Sequence, residues 1–384
     1  MKAIYYDSDM ITAEDILYGL FEAGIQAERS SLIVSLDLAD PEQIEKISLE
    51  VKQYDLAISK SFSVNIAEGC HLAGCTYIAW CYDSPVRALY CKEALYPTNR
   101  IFVFDSKQLM RLRELGLDNV YYEPLAANFT QSSLISISDN DILRLDRDVS
   151  FIGSIYDKGY YDAFIRNAPQ CLPECEELFD RLICRWDGDT VFDKVSDDCI
   201  NALYEVMSKK DRDLYSISNR YLTEVMALSY ELTRRDRIMI LNASSERFET
   251  IVHTYNPDKY KDVLTATLVP PVELYSDELY RIYAASKINL NITLRSIESG
   301  VPQRVFDILS VGGFVMSNFQ EDAAVLFDPD REIVMFSSVD EFLDKADYYI
   351  HHEKERLEIG ARGYLKVKDK YNSANAIKNM IAKI

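Results

Sequence analysis

Short apolar runs alternate with helical patterns along the first third of the chain, and this alternation restricts the fold more than any other feature. The runs are rich in β-branched and aromatic residues, which is typical of buried strands. Between them, apolar residues recur three and four positions apart, most clearly at Thr12–Glu22, Pro41–Lys52 and Lys107–Leu115. Strands that alternate with helices form a parallel sheet covered on both faces. The predicted strands are Ala3–Tyr6, Ala27–Val34, Leu56–Ser59, Tyr77–Cys81, Ile101–Phe104 and Val120–Tyr122.

The alternation resumes in the second half of the chain, with one long interruption. Strands are predicted at Val149–Ile152, Arg237–Leu241, Lys287–Ile292 and Gly313–Ser317. Residues 160–235 lack strand patterns, carry dense charge, and have apolar residues at helical spacing, as in Tyr221–Leu232. The sequence therefore predicts a second α/β unit that contains a helical insertion at 160–235.

The length and the polar segments predict how these units are divided. A chain of 384 residues is long for one core, so two domains are expected. Residues 131–148 are polar and only weakly patterned, and we interpret them as the linker. The first domain is then 1–130 and the second is 149–363. Residues 364–384 contain the final amphipathic helix, predicted at Ala374–Ile384.

Composition excludes several classes of function. A net charge of −20 argues against nucleic-acid partners, because a phosphate backbone would be repelled. No run approaches the ~20 apolar residues that span a bilayer. The eight cysteines contain no CxxC pair, so we expect reduced thiols in a cytoplasmic protein and no metal site. The motifs of zinc proteases, serine hydrolases, P-loop proteins and dinucleotide-binding oxidoreductases are absent from the sequence.

A loop followed by a helix, within Ser286–Phe327, has the residues of an anion site. Pro302 suits the start of a helix and Gly312 its end. Helix starts attract phosphate, and the guanidinium groups of Arg295 and Arg304 flank this one. Asp307 lies one turn beyond Arg304, on the same face. It is suited to accept hydrogen bonds from a ribose diol, and an exposed Arg304–Asp307 ion pair fits the spacing equally well.

Polar residues also follow the predicted strands of the first domain, where ligands gather in parallel α/β sheets. Asp83 stands out because it follows the apolar run at Tyr77–Cys81 and precedes Pro85, which restricts the residue before it. We assign Asp83 to acceptor positioning or base catalysis, with an Asx-turn as the structural alternative. Asp7 is assigned to substrate binding, and Asp105 or Ser106 also suits a helix cap. The residues past the strand ends are Asp7, Asp9, Lys60, Ser61, Asp83, Ser84, Asp105 and Ser106.

Four segments resemble one family. The chain is similar to GT-B glycosyltransferases, specifically the spore-maturation (CgeB-like) group with an N-terminal DUF3880-type domain. The segments occur in the expected order and span most of the chain. They are YIAWCYDSPV at Tyr77–Val86, DVSFIGSIYD at Asp148–Asp157, INLNITLRSIESGVPQRVFDILSVGGF at Ile288–Phe314, and YYIHHEKERLEIGARGY at Tyr348–Tyr364.

The resemblance implies a fold and a reaction. The fold is two Rossmann-like domains in a GT-B arrangement, with a last helix that crosses back to the first domain. The reaction is transfer of a sugar from a nucleotide-diphosphate donor to an acceptor such as a protein or a cell-surface or spore glycan. The donor would lie on the second domain, with Gly153 and Ser154 facing the diphosphate. Arg295 and Arg304 would stabilise the departing diphosphate without a metal ion or other cofactor.

One departure from the family pattern keeps other functions open. Many related enzymes carry two glutamates separated by seven residues, of which the second binds the donor ribose. Asp307 occupies the second position here, and Ser299 the first, with Glu298 beside it. The resemblance implies donor-sugar contacts for Glu298 and Ser299 and the ribose contact for Asp307. The serine also motivates a nucleotide-sugar binding protein without turnover as an alternative. A GT-B nucleotide-sugar epimerase is a further alternative.

Overall fold

The chain folds into two parallel six-stranded sheets. A computed structural model describes residues 1–7, 13–35, 39–206 and 222–384. The first sheet has the strand order β2-β1-β3-β4-β5-β6 and the second β12-β11-β10-β7-β8-β9, and every neighbouring pair is parallel. The strands are β1 (Lys2–Asp7), β2 (Gln26–Ile33), β3 (Leu56–Lys60), β4 (Thr76–Trp80), β5 (Asn99–Val103), β6 (Val120–Tyr122), β7 (Val149–Ile152), β8 (Thr250–His253), β9 (Thr267–Val269), β10 (Ile288–Asn291), β11 (Val315–Asn318) and β12 (Val334–Phe336).

The α/β class and all six strands predicted for the first sheet are confirmed. Central strands such as β3, β7 and β10 are buried along their whole length, because helices cover both faces. That burial explains their near-continuous apolar sequences. β12, a strand of three residues, was not predicted.

The predicted strand at Arg237–Leu241 is wrong. These residues lie inside the helix Tyr230–Ser245, with Ile240 and Leu241 fully buried. A short apolar run suits a buried strand and the buried face of a helix equally well, and only the length of the surrounding element separates the two. The place of that strand in the sheet is taken by β8.

Helices cover both sheets and form the described parts of the insertion. In the described parts of 160–235 no strand occurs, and the last helix continues to Ser245, ten residues past the predicted end. The predicted linker contains a short helix at Asp139–Leu145 that begins with a capping box at Ser138. The α-helices of the described residues are Glu14–Glu22, Pro41–Glu50, Val64–Ala73, Ser106–Glu114, Phe129–Ser132, Asp139–Leu145, Tyr160–Asn167, Leu172–Leu182, Asp197–Val206, Tyr230–Ser245, Asp277–Ala285, Gln303–Ser310, Glu321–Leu326, Val339–His351, Glu353–Asp369 and Ser373–Ile381, with a π-helical segment at Leu222–Ser229.

The last helix packs on the first domain. The helix Glu353–Asp369 runs through position 364, so the crossing element is Ser373–Ile381. It lies against Glu14–Glu22, where a Cβ on Gly19 would come within 2.8 Å of the Ser373 carbonyl oxygen. A larger residue would separate the two helices, so the close approach requires glycine. Side chains of both sheets and of this helix share one apolar cluster, which makes the core continuous between the domains.

Candidate functional site

A cleft of about 610 Å³ opens between the two domains. It is lined at the carboxyl ends of strands from both sheets, as expected for parallel α/β sheets. Ser61 and Asp83 line it from the loops after β3 and β4, and Gly153, Thr254 and Thr293 from the loops after β7, β8 and β10. The volume lies within the usual range for a small-molecule site.

Two guanidinium groups lie on the second-domain side of this cleft. Arg237 and Arg304 both pack over the Phe151 ring, with their Cζ atoms 5.2 and 5.3 Å from its centroid. Both line the cleft, and both donate to neutral acceptors. Arg237 donates to the carbonyl oxygens of Ser154 and Ile292, at 2.5 Å for the second, and Arg304 donates to Asn291 Oδ1 at 3.0 Å. In the described part of the chain, no carboxylate forms an ion pair with either group.

The electrostatics of this pair favour a bound anion. Burial, together with the Arg304 charge, lowers the pKa of Arg237 to about 9. Arg237 therefore stays charged at neutral pH, with a buried Nε that has no hydrogen-bond partner among the described residues. The Arg304 charge acts unfavourably on Arg237 in this partly desolvated cleft, and a bound anion such as a diphosphate would reduce that repulsion.

Gly153 lines the cleft directly after β7 and packs closely against the side chain of Arg304. A Cβ at this position would lie 2.7 Å from Arg304 Nη2 and 3.3 Å from the Phe151 ring. Any larger residue would therefore displace the guanidinium. Ser154 also lines the cleft; its Oγ accepts a hydrogen bond from the Tyr156 amide at 3.0 Å, and this fixes the turn after β7.

The helix that carries Arg304 starts as the sequence predicts, with a small difference in position. Pro302 is the residue just before the helix Gln303–Ser310 and has an extended backbone, with φ −71° and ψ 154°. Pro302, Gln303 and Arg304 all line the cleft, so the unpaired N–H groups of the first turn lie beside the arginine pair.

Asp307 is a cleft residue, so the surface ion pair with Arg304 is excluded. Its side chain is almost fully buried, and its Oδ1 accepts from Gln303 Nε2 at 2.8 Å. Burial raises the pKa of Asp307 to about 7, opposed by the Gln303 hydrogen bond and by the charge of Lys60. Hydroxyl donors that bind in the cleft would stabilise the charged form of this poorly solvated carboxyl group by hydrogen bonding.

Asp83 lies on the opposite wall and is exposed to the cleft. The next residue holds its loop in place: Ser84 Oγ donates to Asp105 at 2.8 Å, and the Ser84 carbonyl accepts from Ser296 Oγ of the second domain at 2.7 Å. The predicted helix cap at Asp105 is confirmed, since its carboxylate accepts from the Lys107 and Gln108 amides. Asp83 therefore lines the cleft on a loop of the first domain that hydrogen bonds on both sides hold in place.

Arg295 does not contact the cleft, contrary to the sequence-based assignment. Its guanidinium is buried and forms an ion pair with Asp236, at 2.6 Å from Nε to Oδ2. It also donates to the carbonyl oxygens of Leu182 and Arg185, and it stacks over Trp186 at 4.7 Å. Because its donors are already used, Arg295 fastens the insertion to the sheet and has no capacity left for a phosphate.

Glu298 and Ser299 are also placed elsewhere, in a contact between the domains. Both Glu298 oxygens accept from Arg111, at 2.6 and 2.9 Å, and burial raises the pKa of this carboxyl. Ser299 Oγ donates to Asp105 at 2.8 Å and lies 3.2 Å from Asp322. We call these five residues the interdomain contact. Ser299 stands between two carboxylates of this contact, so a glutamate here would face two like charges.

The assignment of Asp7 to substrate binding is likewise not supported. Asp7 forms an ion pair with Arg29 of the neighbouring strand β2 and is not among the residues that line the cleft. The pairing follows from the parallel register, which brings the end of β1 beside β2. Asp9 lies outside the described residues.

Several cleft residues were missed by the sequence interpretation. Asn291 and His253 are the last residues of β10 and β8, so the strand-end rule that was applied to the first domain would have found both. Burial lowers the pKa of His253. The strand-end rule would not have found Arg237, because this residue is at the start of the strand that was wrongly predicted at Arg237–Leu241. Gln303 was seen only as part of the helix start.

The comparisons with known proteins agree with this geometry. Residues 236–382 match the family model described as glycosyl transferase-like. A comparison with curated proteins gives no match. The matched segment includes the helix Gln303–Ser310, both cleft arginines and Asp307.

Solved structures resemble the whole chain. HepE from Anabaena, in complex with UDP-glucose, gives a TM-score of 0.52 at 9% identity, over 100% of this chain and 98% of that chain. AviGT4, a glycosyltransferase involved in avilamycin A biosynthesis, gives 0.52 at 10% identity, over 100% and 96%. A sucrose-phosphate synthase from Thermosynechococcus elongatus gives 0.50 at 10% identity, over 100% and 97%. At such identities the likeness shows the fold.

The fold is therefore that of the GT-B glycosyltransferases, with two Rossmann-like domains, and residues 236–382 are similar to the glycosyl transferase-like family. The predicted fold class is confirmed. Within the described ranges, every helix is too short or too polar to cross a bilayer. The same ranges contain no cluster of three or more His, Cys, Asp or Glu side chains arranged to hold a metal ion.

Proposed function

We propose that this protein is a glycosyltransferase that moves a sugar from a nucleoside-diphosphate donor to an acceptor bound on the first domain. The observation that carries the proposal is the pair of charged guanidinium groups, Arg237 and Arg304, beside a helix start in the interdomain cleft. HepE, which shares the fold, has a structure in complex with UDP-glucose.

The cleft residues have consistent roles in such a reaction. The donor diphosphate lies between Arg237 and Arg304, next to Gly153 and the first turn of Gln303–Ser310. An acceptor hydroxyl attacks the anomeric carbon, and the bond from that carbon to the phosphate oxygen breaks. The diphosphate leaves with the electron pair, and its growing negative charge is stabilised by the two arginines. The acceptor hydroxyl loses its proton, and Asp83 is the carboxylate on that side.

Three further features belong to the proposal. The departing charge is met by protein cations, so we propose that transfer needs no metal ion or other cofactor. All eight cysteines are free thiols, which supports a cytoplasmic setting. The segments Tyr77–Val86 and Ile288–Phe314 support membership of the CgeB-like group, with its characteristic N-terminal domain.

The test is a mass-spectrometric screen of nucleotide sugars incubated with the purified protein, with and without EDTA. We expect slow hydrolysis of at least one donor to its nucleoside diphosphate and free sugar, unaffected by the chelator. Hydrolysis should depend on the arginine pair, so that Arg304→Met, which removes one hydrogen bond to the Asn291 side chain, slows it roughly ten-fold or more while the variant retains its thermal melting temperature to within a few degrees.

The other outcomes separate the alternatives. Tight binding of nucleotide sugars without hydrolysis or transfer, across a broad acceptor panel, would identify a binding protein. Conversion of a donor to an isomer of equal mass and different retention time would identify an epimerase, for which His253 in the cleft is the first residue to vary. Failure to bind any nucleotide sugar would contradict the proposal.

A further inference from the structure

Three tyrosines form a row that leads out of the cleft along the helical insertion. Tyr156 lines the cleft, and the Cζ atom of Arg237 lies 4.8 Å from the centroid of its ring. The ring of Tyr230 is 5.2 Å from that of Tyr156 between centroids, and the ring of Tyr160 is 6.2 Å from Tyr230. Tyr156 and Tyr230 are partly buried, whereas Tyr160 is 44% exposed. This tyrosine row therefore connects the proposed diphosphate site to the protein surface.

The row borders a second, smaller cavity of about 170 Å³, which we call the side cavity. Tyr156 and Tyr230 line both the cleft and the side cavity, so the two spaces adjoin. The side cavity is too small for a drug-sized ligand, and its size suits a single sugar ring. Its charged lining residues are Asp157, Lys158, Asp162, Glu231 and Arg234.

Polar groups of the row and of the side cavity have unused hydrogen-bonding capacity. The three tyrosine hydroxyls form no hydrogen bond with a described residue. The carboxylate of Asp162 is exposed, and no described cation forms an ion pair with it. Arg234 donates to Glu231 from Nε and Nη2, which leaves Nη1 for another acceptor. Sugar hydroxyls both donate and accept, so they match this mixture of phenol, carboxylate and guanidinium groups.

The backbone of Tyr156 has an unfavourable conformation. Its φ is 63°, in the left-handed region that residues with a β-carbon seldom adopt. The Tyr156 amide donates to Ser154 Oγ at 3.0 Å, and its carbonyl oxygen accepts from the Lys158 amide at 2.8 Å, which fixes the turn. Glycine would suit this turn better. Because such strain occurs mostly at ligand sites, a tyrosine here indicates that the ring itself is used.

Tyr230 lies close to the carboxylate on the acceptor side of the cleft. Burial, with smaller contributions from Tyr156 and Asp83, raises the pKa of Tyr230 to about 12. Tyr230 and Asp83 also line the same cleft. A sugar unit packed on Tyr230 would therefore lie near Asp83, where the attacking hydroxyl loses its proton in the proposed reaction.

We propose that the tyrosine row and the side cavity bind the acceptor as a chain of neutral sugars, with the unit next to the attacking one at the side cavity. This inference rests on the proposed function and names the chemical class of the acceptor. Flat aromatic rings pack against the apolar faces of sugar rings, and charged groups beside them bind the sugar hydroxyls. An acidic glycan is disfavoured, because the net charge is −20 and the side cavity has three carboxylates and two cations.

A peptide acceptor fits this surface less well. Extended peptides are commonly bound at the edge of a sheet, but the residues that line the side cavity belong to one loop and to the helices Tyr160–Asn167 and Tyr230–Ser245. A helical peptide needs a long apolar groove, whereas this cavity is small and has charged walls. The lining therefore favours a carbohydrate.

The experiment first identifies the acceptor and then varies its length. An array of neutral glycans and of peptides is tested for binding of the purified protein. The glycan bound most tightly and its shortened forms are then offered as acceptors, with the donor found in the nucleotide-sugar screen, and kcat/KM is measured for each length. Tyr160→Ala removes the outermost ring of the row, and Tyr160→Phe keeps the ring without its hydroxyl. Tyr348→Ala is the matched control, since Tyr348 is also 44% exposed and lines neither cavity.

We expect binding to neutral glycans and a kcat/KM that rises with acceptor length until the row is filled. Tyr160→Ala should lower the ratio of kcat/KM between the longest and the shortest acceptor roughly two- to ten-fold, as for the loss of one aromatic contact. Tyr160→Phe should keep most of this ratio, and Tyr348→Ala should keep all of it. A merely structural role of Tyr160 would lower transfer to all lengths equally.

Several results would overturn the inference. If the protein binds peptides and no neutral glycan on the array, or binds neither, the row is not a sugar site. If transfer does not depend on acceptor length, or if Tyr160→Ala changes all lengths equally, the row does not hold the acceptor, although donor hydrolysis would still support the proposed function. Glycan binding that Tyr160→Ala weakens, without binding of any nucleotide sugar, would overturn the proposed transfer and leave the sugar site in place. Melting curves of each variant confirm that differences in binding are not differences in folding.

Discussion

Two adjacent segments of the second domain, the loop Thr293–Val301 and the helix Gln303–Ser310, have similar polar residues and opposite roles. The loop carries Arg295, whose ion pair with Asp236 is buried. The helix carries Arg304, which lines the cleft and donates to the neutral side chain of Asn291. The two arginines are nine positions apart in one predicted phosphate-binding stretch, yet only the second lines the cleft.

The difference shows that hydrogen-bonding capacity, more than residue type, marks the functional group. A guanidinium whose donors already have a carboxylate and two carbonyls can hold the fold but has nothing left for a ligand. The carboxyl groups of Glu298 and Asp307 differ in the same respect. Glu298 is neutralised by Arg111 across the interdomain contact, whereas Asp307 is buried beside an amide in the cleft.

The largest effect is expected from Arg295→Ala. This change leaves the Asp236 carboxylate buried and unpaired, which typically costs about 3–5 kcal/mol. We expect a correspondingly large loss in the free energy of unfolding, measured by urea titration with circular dichroism. The double change Arg295→Met with Asp236→Leu should recover part of the loss. If the variant kept the stability of the parent and lost only nucleotide binding, Arg295 would be a binding residue and its structural role would be excluded.

Arg304→Ala should weaken nucleotide binding and leave the stability of the fold nearly unchanged, the opposite of Arg295→Ala. Loss of a charge-assisted contact costs about 1.5–3 kcal/mol, so nucleoside-diphosphate binding should weaken roughly ten- to one-hundred-fold, with little change in melting temperature. Calorimetric titration measures the binding. Arg331→Ala, at an exposed pair with Asp328, is the control and should leave binding unchanged. Equal binding by both variants would exclude Arg304 from the donor site.

Asp83→Asn tests the opposite wall of the cleft. A positioned acid–base group contributes at least about ten-fold to turnover, so we expect transfer to slow by that factor or more. Donor affinity should stay the same, since the donor residues lie on the second domain. The exposed Asp118→Asn is the matched control, and single-turnover transfer is the measurement. If transfer is unaltered, Asp83 has only a structural role, which is to hold its loop in place.

The smallest effect is a pH dependence at Asp307, whose pKa burial raises to about 7. The ionised carboxylate is a stronger acceptor for a ligand hydroxyl than the protonated carboxyl, so affinity should rise several-fold between about pH 6 and pH 8. A folded pKa above the unfolded value also means that stability falls as pH rises from about 4 to 7. Lys60, Asp15 and Arg304 are the charges that act on this carboxyl.

Asp307→Asn should flatten the affinity profile and raise the melting temperature at pH 8, because no buried carboxyl then needs to ionise. Glu123, buried beside Asn379, has its pKa raised to about 7 as well, so Glu123→Gln serves as the control. It should raise stability at pH 8 in the same way while leaving the affinity profile unchanged. A parent affinity that does not vary with pH would mean that Asp307 is already ionised at pH 6.

The sequence by itself determined the α/β class, the first sheet and the start of the helix Gln303–Ser310. These depend on local patterns: apolar runs, helical spacing, and a proline and glycines at the two ends. The resemblance in the segments around Asp148–Asp157 and Ile288–Phe314 added the GT-B arrangement. Asp83 was identified as a cleft residue because ligand sites form at the carboxyl ends of parallel strands, and Gly153 was identified through the resemblance.

Only the tertiary structure decided which polar residues line the cleft between the domains. Arg237 lies in an apolar run that the sequence could not distinguish from a strand. In the structure its guanidinium group, like that of Arg304, packs over the Phe151 ring. Arg295 and Ser299 had the right chemistry, but partners more than fifty residues away in sequence already use their hydrogen bonds. Whether a polar group is free for a ligand depends on the long-range packing around it, and a local pattern does not contain that information.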